Sequence, residues 1–255
     1  MRNILIILRK ELNSYFASPV AYLLLTMFAI IFGFFFWNSV GYFNMMGLES
    51  QMRGQSFPMS VNEYVIRPLL SNISVIGLFF IPMMTMRLFA EEKRQGTIEL
   101  LATSPVRDSE IIIGKWFAAL ILYAVMLLFT AINFAFLFKY GNPDWRPMAM
   151  GYLGLLLQAG GLLAVGTFIS TLTKNQIIAG AATFGVCLLL WVLEWVAGYE
   201  TATWAKVLAY MSVITHYESF GKGVLDSKDA IYYVSLIFLG LFLTSRSLES
   251  LRWRS

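Results

Sequence analysis

Six long apolar segments, separated by polar connections, account for most of the chain. They cover residues 20–42, 69–89, 115–139, 148–172, 176–196 and 230–244. A helix needs about 20 mostly apolar residues to cross the hydrocarbon core of a bilayer. The pattern therefore predicts an all-α, polytopic membrane protein with six transmembrane helices. The fourth segment is rich in glycine, which lets helix backbones approach closely in lipid, and we expect it to pack inside the bundle.

The first residues of the chain predict a helix that lies along the membrane rather than across it. Over residues 2–16, apolar side chains recur at helical spacing, and Arg9 and Lys10 fall on the opposite side. Such a helix is too polar to cross and suits the membrane interface. Ser18 followed by Pro19 predicts that a new helix begins there, because serine caps a helix and proline is tolerated in its first turn.

The connection between the fifth and sixth segments, residues 199–228, is only partly polar. Its apolar part, residues 204–214, holds about 11 residues, fewer than a crossing helix requires. We expect a short re-entrant or interfacial helix in this connection. The predicted organisation is an interfacial helix over residues 1–18, a transmembrane domain over residues 19–247 and a tail over residues 248–255.

Charge agrees with a membrane protein and predicts its orientation. The chain is 58% hydrophobic and 13% charged, whereas soluble domains carry about 25% charged residues. Lysine and arginine are more frequent in the connections on the side of the two termini, so the positive-inside rule predicts that both termini are cytoplasmic. The net charge of +4 fits basic loops that face anionic lipid. A nucleic-acid partner is not expected, since no basic stripe interleaved with aromatic residues is present.

Several kinds of chemistry lack the residues they need. The sequence has one cysteine, Cys187, and one histidine, His216, so neither an intrachain disulfide nor a metal site built on those ligands is expected. It has no glycine-rich loop for phosphates, so we expect the chain to bind no ATP and no other cofactor by itself. An intramembrane enzyme using His216 and Glu194 is the weakest alternative.

The densest run of charge, residues 91–105, lies between the second and third apolar segments. The topology places this run on the cytoplasmic side. A short helix rooted in two membrane helices is suited to transmit force between the bilayer and a soluble partner. A solvated charged loop with no partner is the alternative.

The charged run and its flanks carry a recognisable motif. It reads MRLFAEEKRQGTIELL over residues 86–101, TSPV over residues 103–106 and GK over residues 114–115. This motif resembles the signature of ABC-2 type permeases, the membrane subunits of one class of ATP-binding-cassette exporter. Within that class, the chain is most similar to the gliding-motility-associated (GldF-like) permeases. Shorter motifs agree with this resemblance at residues 170–176, 219–226 and 245–249.

The resemblance implies an assembly and a function. Such permeases form a homodimer or a close heterodimer in the bacterial cytoplasmic (inner) membrane, above two copies of an ABC ATPase subunit. ATP and Mg would bind to that ATPase, and this chain would be no enzyme. We expect an exporter of an unidentified cargo. The alternative is a mechanotransmission or scaffold complex, in which ATP cycles move an extracytoplasmic partner, such as a periplasmic auxiliary protein, and no cargo crosses.

The resemblance also implies residue roles. The segment at residues 91–105 would be the coupling helix that contacts the ATPase, with Gly96 allowing close backbone approach and Pro105 ending the element. Leu100 and Leu101 would be its apolar contacts. The polar contacts in this segment would be Glu91, Glu92, Arg94, Thr97 and Glu99. Those in the amino-terminal helix would be Arg9, Lys10 and Glu11.

Three residues are candidates for the cargo pathway or for an outer gate. Asn72 lies in the second segment, where Ser74 is a second polar residue and where helix-to-helix hydrogen bonding is the alternative. Glu194 is the acid within the fifth segment, either a transport residue or an interfacial carboxylate. Trp204 belongs to the short apolar connection that resembles the outer helices of the family, which close the outer gate.

Overall fold

The computed structural model describes residues 2–54, 60–97, 106–141, 143–199 and 203–252, and these ranges are almost entirely helical. A π-helical turn, Asn62–Ile66, leads directly into α3. The helices are α1 (Arg2–Ala17), α2 (Pro19–Met52), α3 (Arg67–Thr85), α4 (Ala90–Gln95), α5 (Asp108–Tyr140), α6 (Trp145–Leu172), α7 (Gln176–Tyr199), α8 (Thr203–Tyr210), α9 (Val213–Gly221) and α10 (Ser227–Arg252).

Six helical segments are long and apolar enough to cross a membrane, which confirms the predicted number of spans. They are α2, the segment Asn62–Gln95 that contains α3 and α4, α5, α6, α7 and α10. The break between α1 and α2 also lies where it was predicted. Ser18 caps α2 by accepting a hydrogen bond from the Val20 N–H, and Pro19 is the first helical residue.

The ends of several spans differ from the prediction. The first continues to Met52 rather than residue 42, and the last covers Ser227–Arg252 rather than residues 230–244. Both extensions contain a helical ion pair, Glu49 with Arg53 and Arg246 with Glu249. Such pairs stabilise a helix after its apolar residues have ended, so hydrophobicity alone places the end too early.

Helices α3 and α6 form the centre of the bundle, and α10 packs along α6. The glycines of α6 explain how closely its neighbours approach. A Cβ added at Gly166 would lie 2.4 Å from Thr85 Oγ1 of α3, and one at Gly154 would lie 2.5 Å from Phe220 Cβ of α9. The prediction that this glycine-rich span packs inside the bundle is therefore confirmed.

The bundle has two differently built ends. At one, which we call the α1 end, lie α1, α4 and the last residues of α6 and α10, since Lys93 of α4 bonds to Thr171 and Thr171 bonds to Ser247. At the other, the α9 end, lie α8, α9 and the start of α6. The two short helices have 8 and 9 residues, too few to cross, as predicted for this connection. The predicted single apolar piece is divided at Ser212, which caps α9.

Candidate functional site

Helix α4 is short and strongly charged. It carries Glu91 and Glu92 in its first turn and Lys93 and Arg94 in its last. This order suits the helix dipole, because acids are favoured near the amino end and bases near the carboxyl end. The helix ends at Gly96, whose φ of 73° is left-handed and therefore suits a residue without a Cβ.

The described part of the predicted coupling segment is residues 91–97. Four of the predicted residues lie outside the described ranges: Glu99, Leu100, Leu101 and Pro105.

The turn between α3 and α4 is fixed to the end of α6. The backbone N–H groups of Phe89 and Ala90 donate to Ser170 Oγ at 3.0 and 3.1 Å. The Lys93 ammonium donates to the backbone oxygen of Thr171. The Thr171 hydroxyl in turn donates to Ser247 Oγ of α10 at 2.7 Å. Direct hydrogen bonds therefore connect α4 to two membrane-spanning helices, α6 and α10.

A buried lysine joins α1, α4 and α5. Lys115 of α5 is only 2% exposed, and its Nζ lies 2.9 Å from Glu11 Oε1 of α1 and 2.8 Å from Glu92 Oε1 of α4. It also donates to the backbone oxygen of Leu88 at 2.9 Å. The three hydrogens of the ammonium thus have three acceptors on separate parts of the chain. We call Lys115, Glu11 and Glu92 the Lys115 cluster.

The charges of the Lys115 cluster are incompletely compensated inside it. One buried lysine faces two carboxylates, and the Lys10 ammonium, 3.9 Å from Glu92 Oε1, supplies further positive charge from the exposed side of α1. The second carboxylate oxygen of Glu92, Oε2, is buried and has no hydrogen-bond partner among the described residues. An unpartnered buried carboxylate oxygen is costly, and the bond of Lys115 to Glu92 Oε1 offsets part of that cost.

Tyr15 gives α1 a second attachment, one helical turn beyond Glu11. Its hydroxyl donates to the backbone oxygen of Met84 at 2.9 Å, in the last turn of α3, where carbonyls lack a partner within the helix. The guanidinium carbon of Arg87 lies 4.2 Å from the centre of the Tyr15 ring. Burial raises the pKa of the Tyr15 phenol, so the hydroxyl remains a donor. Glu11 and Tyr15 together attach one face of α1 to the bundle.

The structure divides the predicted coupling residues into two groups. Exposed side chains or backbone are found at Arg9, Lys10, Arg94 and Gly96, and Glu91 and Thr97 are half-buried. The carboxylates of Glu11 and Glu92 instead face Lys115. Those two acids therefore hold α1 and α4 in place. A surface available to another molecule is formed by the exposed residues Arg9, Lys10, Arg94 and Gly96.

Sequence reasoning missed Lys115 as a functional residue. The residue was treated only as the start of the third span and as part of the motif at residues 114–115, whereas α5 begins at Asp108 and places Lys115 well inside the helix. A lysine within an otherwise apolar helix was the available signal, because such a charge requires a partner. The partners themselves, Glu11 and Glu92, lie far from it in sequence and could not be identified from local pattern.

The three pathway candidates lie on three different helices. Asn72 is half-buried in α3, Glu194 is half-buried in α7 and Trp204 is exposed on α8. Near Asn72, the Ser74 hydroxyl donates to Gln158 Oε1 of α6 at 2.7 Å, and Gln158 Nε2 donates back to the Ser74 backbone oxygen. Ser74 thus follows the helix-to-helix alternative. No three His, Cys, Asp or Glu side chains of the described ranges are placed together as a metal site requires.

Comparison with known proteins gives a family and distant relatives. Residues 5–241 match the model of the ABC-2 family transporter proteins. Two curated relatives, from Escherichia coli strain K12 and from Escherichia coli O157:H7, are each described as a probable multidrug ABC transporter permease, YbhR. Each is 25% identical to this chain over 166 residues, which cover 63% of the chain and 43% of the relative. The chain thus matches less than half the length of these relatives.

The family match decides two of the predictions. Permeases of this family lack a nucleotide-binding domain, in agreement with the expectation that this chain is not itself an ATPase. The gliding-motility subfamily is not distinguished by these comparisons. Because the match covers nearly all of the 255 residues, the chain belongs to the ABC-2 transporter family, as a permease subunit.

Proposed function

We propose that this permease exports a cargo across the bacterial cytoplasmic membrane, or out of it, using ATP hydrolysed on two copies of a separate ABC ATPase. In this proposal the α1 end faces the cytoplasm, as the distribution of lysine and arginine predicts. Two permeases, identical or closely related, form the membrane part. ATP and Mg bind only to the ATPase subunits.

The Lys115 cluster is the observation that carries this proposal. It joins α1 and α4 to α5 at a single buried ammonium, so the two charged helices move as one body. Hydrogen bonds from the same region continue to α6 and α10. A partner that contacts α4 differently in its two nucleotide states shifts the equilibrium of the helices only if that difference is transmitted. A rigid connection of this kind transmits it.

The proposal assigns different roles to the residues of the site. Arg9, Lys10 and Arg94 form the exposed basic surface that contacts the ATPase, and Gly96 lets the partner approach the backbone. Glu91, Thr97 and Glu99 add polar contacts, Leu100 and Leu101 add apolar ones, and Pro105 ends the segment. Glu11 and Glu92 are positioning residues, since their carboxylates are held by Lys115.

The two Escherichia coli relatives bear on whether the complex transports a cargo and on what kind of cargo that is. The description of both Escherichia coli proteins as probable multidrug permeases favours transport of a small molecule over a purely mechanical complex. A mechanical complex would also need a large lever at the α9 end, where the connections between helices are short. The motif at residues 86–106 supports placement in the gliding-motility-associated branch. In this proposal, a periplasmic auxiliary protein is an additional partner of the permease.

Charge reversal on the exposed surface of α4 tests the proposal. Tagged permease is purified from native membranes, and the ABC ATPase that accompanies it is measured. We expect Arg94→Glu to reduce the co-purified ATPase at least about tenfold, because reversing one charge at an interface costs more than about 1.4 kcal/mol of binding free energy. Arg94 is exposed, so its replacement leaves the fold intact.

The matched control is Lys206→Glu, the same kind of reversal on an exposed residue of α8 at the opposite end. It should leave the amount of ATPase unchanged. Wild-type permease that purifies with no ATPase would overturn the proposed function. Equal losses of co-purified ATPase in the two variants would show that α4 is not the surface that contacts the ATPase.

A further inference from the structure

The α9 end contains a second buried ionisable pair, which the proposed coupling does not use. His216 of α9 is 3% exposed and Asp229, near the start of α10, is 2% exposed. Their Nδ1 and Oδ1 atoms are 2.7 Å apart. Helix α9 packs mainly on α6 and touches α10 at few places, and this pair is one of them. The pair is therefore a specific connection between α9 and the last span.

The other side of the imidazole is attached to α8. His216 Nε2 lies 2.8 Å from the backbone oxygen of Tyr210, the last residue of α8, where carbonyls lack helical partners. The Tyr232 ring of α10 stacks on the imidazole at 3.9 Å, and the Tyr210 ring meets it edge-on at 4.9 Å. One side chain thus connects α8, α9 and α10. We call His216, Asp229 and the Tyr210 carbonyl the His216 cluster.

Two tyrosines hold the turn between α8 and α9 against α10. The Tyr232 hydroxyl donates to the Met211 backbone oxygen at 2.7 Å, and the Tyr233 hydroxyl donates to that of Val213 at the same distance. These bonds need no change of protonation near neutral pH, because a phenol ordinarily ionises near pH 10. The contacts of the His216 cluster, in contrast, depend on how many protons His216 and Asp229 hold together.

The atoms of the His216 cluster require one hydrogen more than a neutral histidine and a carboxylate provide. A backbone oxygen only accepts, so Nε2 must carry a hydrogen toward Tyr210. A hydrogen must also lie between Nδ1 and the carboxylate oxygen, and a neutral imidazole has only one N–H. The geometry is met by an imidazolium with a carboxylate, or by a neutral imidazole with a carboxylic acid. Either form holds the same extra proton.

The groups around the pair differ in their effect on a positive charge there. The face of the Tyr232 ring against the imidazole favours a cation. Around Asp229, Lys228 is the neighbouring cation and Tyr233 the neighbouring phenol of α10. The acid of the preceding turn, Asp226, is paired with Lys228 at 3.1 Å. The pair itself therefore has no second acid hydrogen-bonded to it among the described residues.

Helices α3, α6 and α7 also pack against α9, and their ionisable groups lie near other parts of that helix. Arg67 of α3 lines a cavity together with Gly221 and Lys222, at the end of α9. Tyr152 of α6 interacts with Tyr217, and Glu194 of α7 interacts with Glu218, which is itself paired with Lys222. Both interactions involve residues of α9 other than His216.

We propose that the His216 cluster is a proton-dependent connection that keeps α8 and α9 against α10 and weakens when the extra proton is lost. After loss of that proton, only one of the two ring nitrogens carries a hydrogen. The other nitrogen then faces an oxygen, of Asp229 or of Tyr210, with no hydrogen between them, so the connected state becomes unfavourable. The connected state binds one proton more than the separated state, and its stability therefore falls as pH rises. On the proposed function, this regulates how readily the outer end of the transport path opens, and the acidity at that surface sets the threshold.

Replacement of Asp229 by asparagine separates this proposal from a purely structural pair. In Asp229→Asn, the amide N–H donates to Nδ1, and a neutral imidazole keeps its single hydrogen for the Tyr210 carbonyl. The side chain has the same size, and the amide oxygen takes the position of Asp229 Oδ2, which has no hydrogen-bond partner in the described part of the chain. All contacts are then made without the extra proton. We expect the variant to stay connected at high pH.

The measurement uses a cysteine placed at the base of α9. Val213 is fully buried, and Val213→Cys introduces a similar side chain whose reaction with a maleimide reports separation of α9. The buried native Cys187 is replaced by alanine. Labelling rates of the full chain in lipid nanodiscs are compared, with and without Asp229→Asn, from about pH 5 to about pH 9. At each pH, the labelling rate of the chain with Asp229 is divided by that of the Asp229→Asn chain. The ionisation of the reporter thiol cancels in this ratio, because both chains carry the same cysteine.

The expected ratio is near one at acid pH and rises with pH, by up to about tenfold per unit above the transition, as loss of a single proton requires. His216→Ala should label rapidly throughout the range. A ratio that stays near one, or that falls with pH, would overturn the proposal even if His216→Ala fails to fold. No ATPase is needed, so this result is independent of the Arg94 experiment, and either proposal can fail alone.

Discussion

At the α1 end, one lysine is shared by two glutamates, whereas at the α9 end one histidine meets one aspartate. Lys115, His216 and Asp229 are buried, and each cluster connects a short helix to a membrane-spanning one. Lysine and glutamate ordinarily keep their charges near neutral pH, but histidine changes its charge between about pH 5 and 8. Similar ion pairs can therefore give a permanent connection at one end and an adjustable one at the other.

The difference fits the tasks proposed for the two ends. A connection that transmits motion from an ATPase must hold in every step of the cycle, and the three acceptors of Lys115 satisfy that need. A connection that opens and closes needs states of similar free energy, and the transfer of one proton is a small enough change to select between them. Substitutions at the two ends should therefore have unequal effects.

Removing the charge of Lys115 should have the largest effect. Lys115→Met leaves the Glu11 and Glu92 carboxylates close together with no buried cation, which we expect to lower the free energy of unfolding by about 3–5 kcal/mol. Thermal unfolding of the purified permease measures the loss. Association with the ATPase should fall with it, because α1 and α4 no longer share an attachment.

The control restores charge balance rather than the lysine. In the triple variant Lys115→Met, Glu11→Gln and Glu92→Gln no charge remains in the cluster, and most of the stability should return while the rigid connection does not. If Lys115→Met alone unfolds like the wild type, the Lys115 cluster is not the connection described here, and the contrast between the two ends disappears.

Much of the architecture follows from local pattern. Six spans, the break at Ser18 and Pro19, and short helices before the last span could all be predicted, because length, hydrophobicity and capping are properties of neighbouring residues. The ends of the spans were placed too early for α2 because the ion pair of Glu49 and Arg53 continues the helix beyond its apolar part. Such pairs are visible in the sequence but are outweighed in a hydropathy pattern.

The two clusters show what local pattern cannot supply. His216 was considered only as a metal ligand or as a component of an enzyme, and Asp229 was given no functional role, although their pairing is what makes both notable. Glu11 and Glu92 were assigned to an outside partner, but each is more than twenty residues from Lys115 in sequence and reaches it through the packing of α1 and α4 on α5. Which charges meet is decided by tertiary structure.

A second variant examines how α9 is seated apart from any charge. Gly154→Ala introduces a Cβ that would lie 2.5 Å from Phe220 Cβ, so α9 must move away from α6. We expect a loss of about 1–3 kcal/mol in the free energy of unfolding, typical of overpacking. Gly185→Ala in α7 is the control, since its added Cβ meets no atom within 4 Å. Unfolding midpoints that fall equally in both variants would contradict this account of how α9 is seated.

The smallest effect is expected at the exposed start of α10, on the acid side of the pH range. The Lys228 backbone N–H and ammonium bond to Asp226 and lower the pKa of its carboxyl group. A lowered pKa stabilises the fold above the unfolded value of about 3.9, and that contribution is lost as pH falls through the folded value. Asp226→Asn should therefore flatten the acid limb of the pH dependence of unfolding and leave the alkaline limb unchanged. Because the His216 cluster weakens in the opposite direction, with rising pH, a variant that altered the alkaline limb would show that Asp226 acts on that cluster and that the α9 end has one coupled site rather than two separate ones.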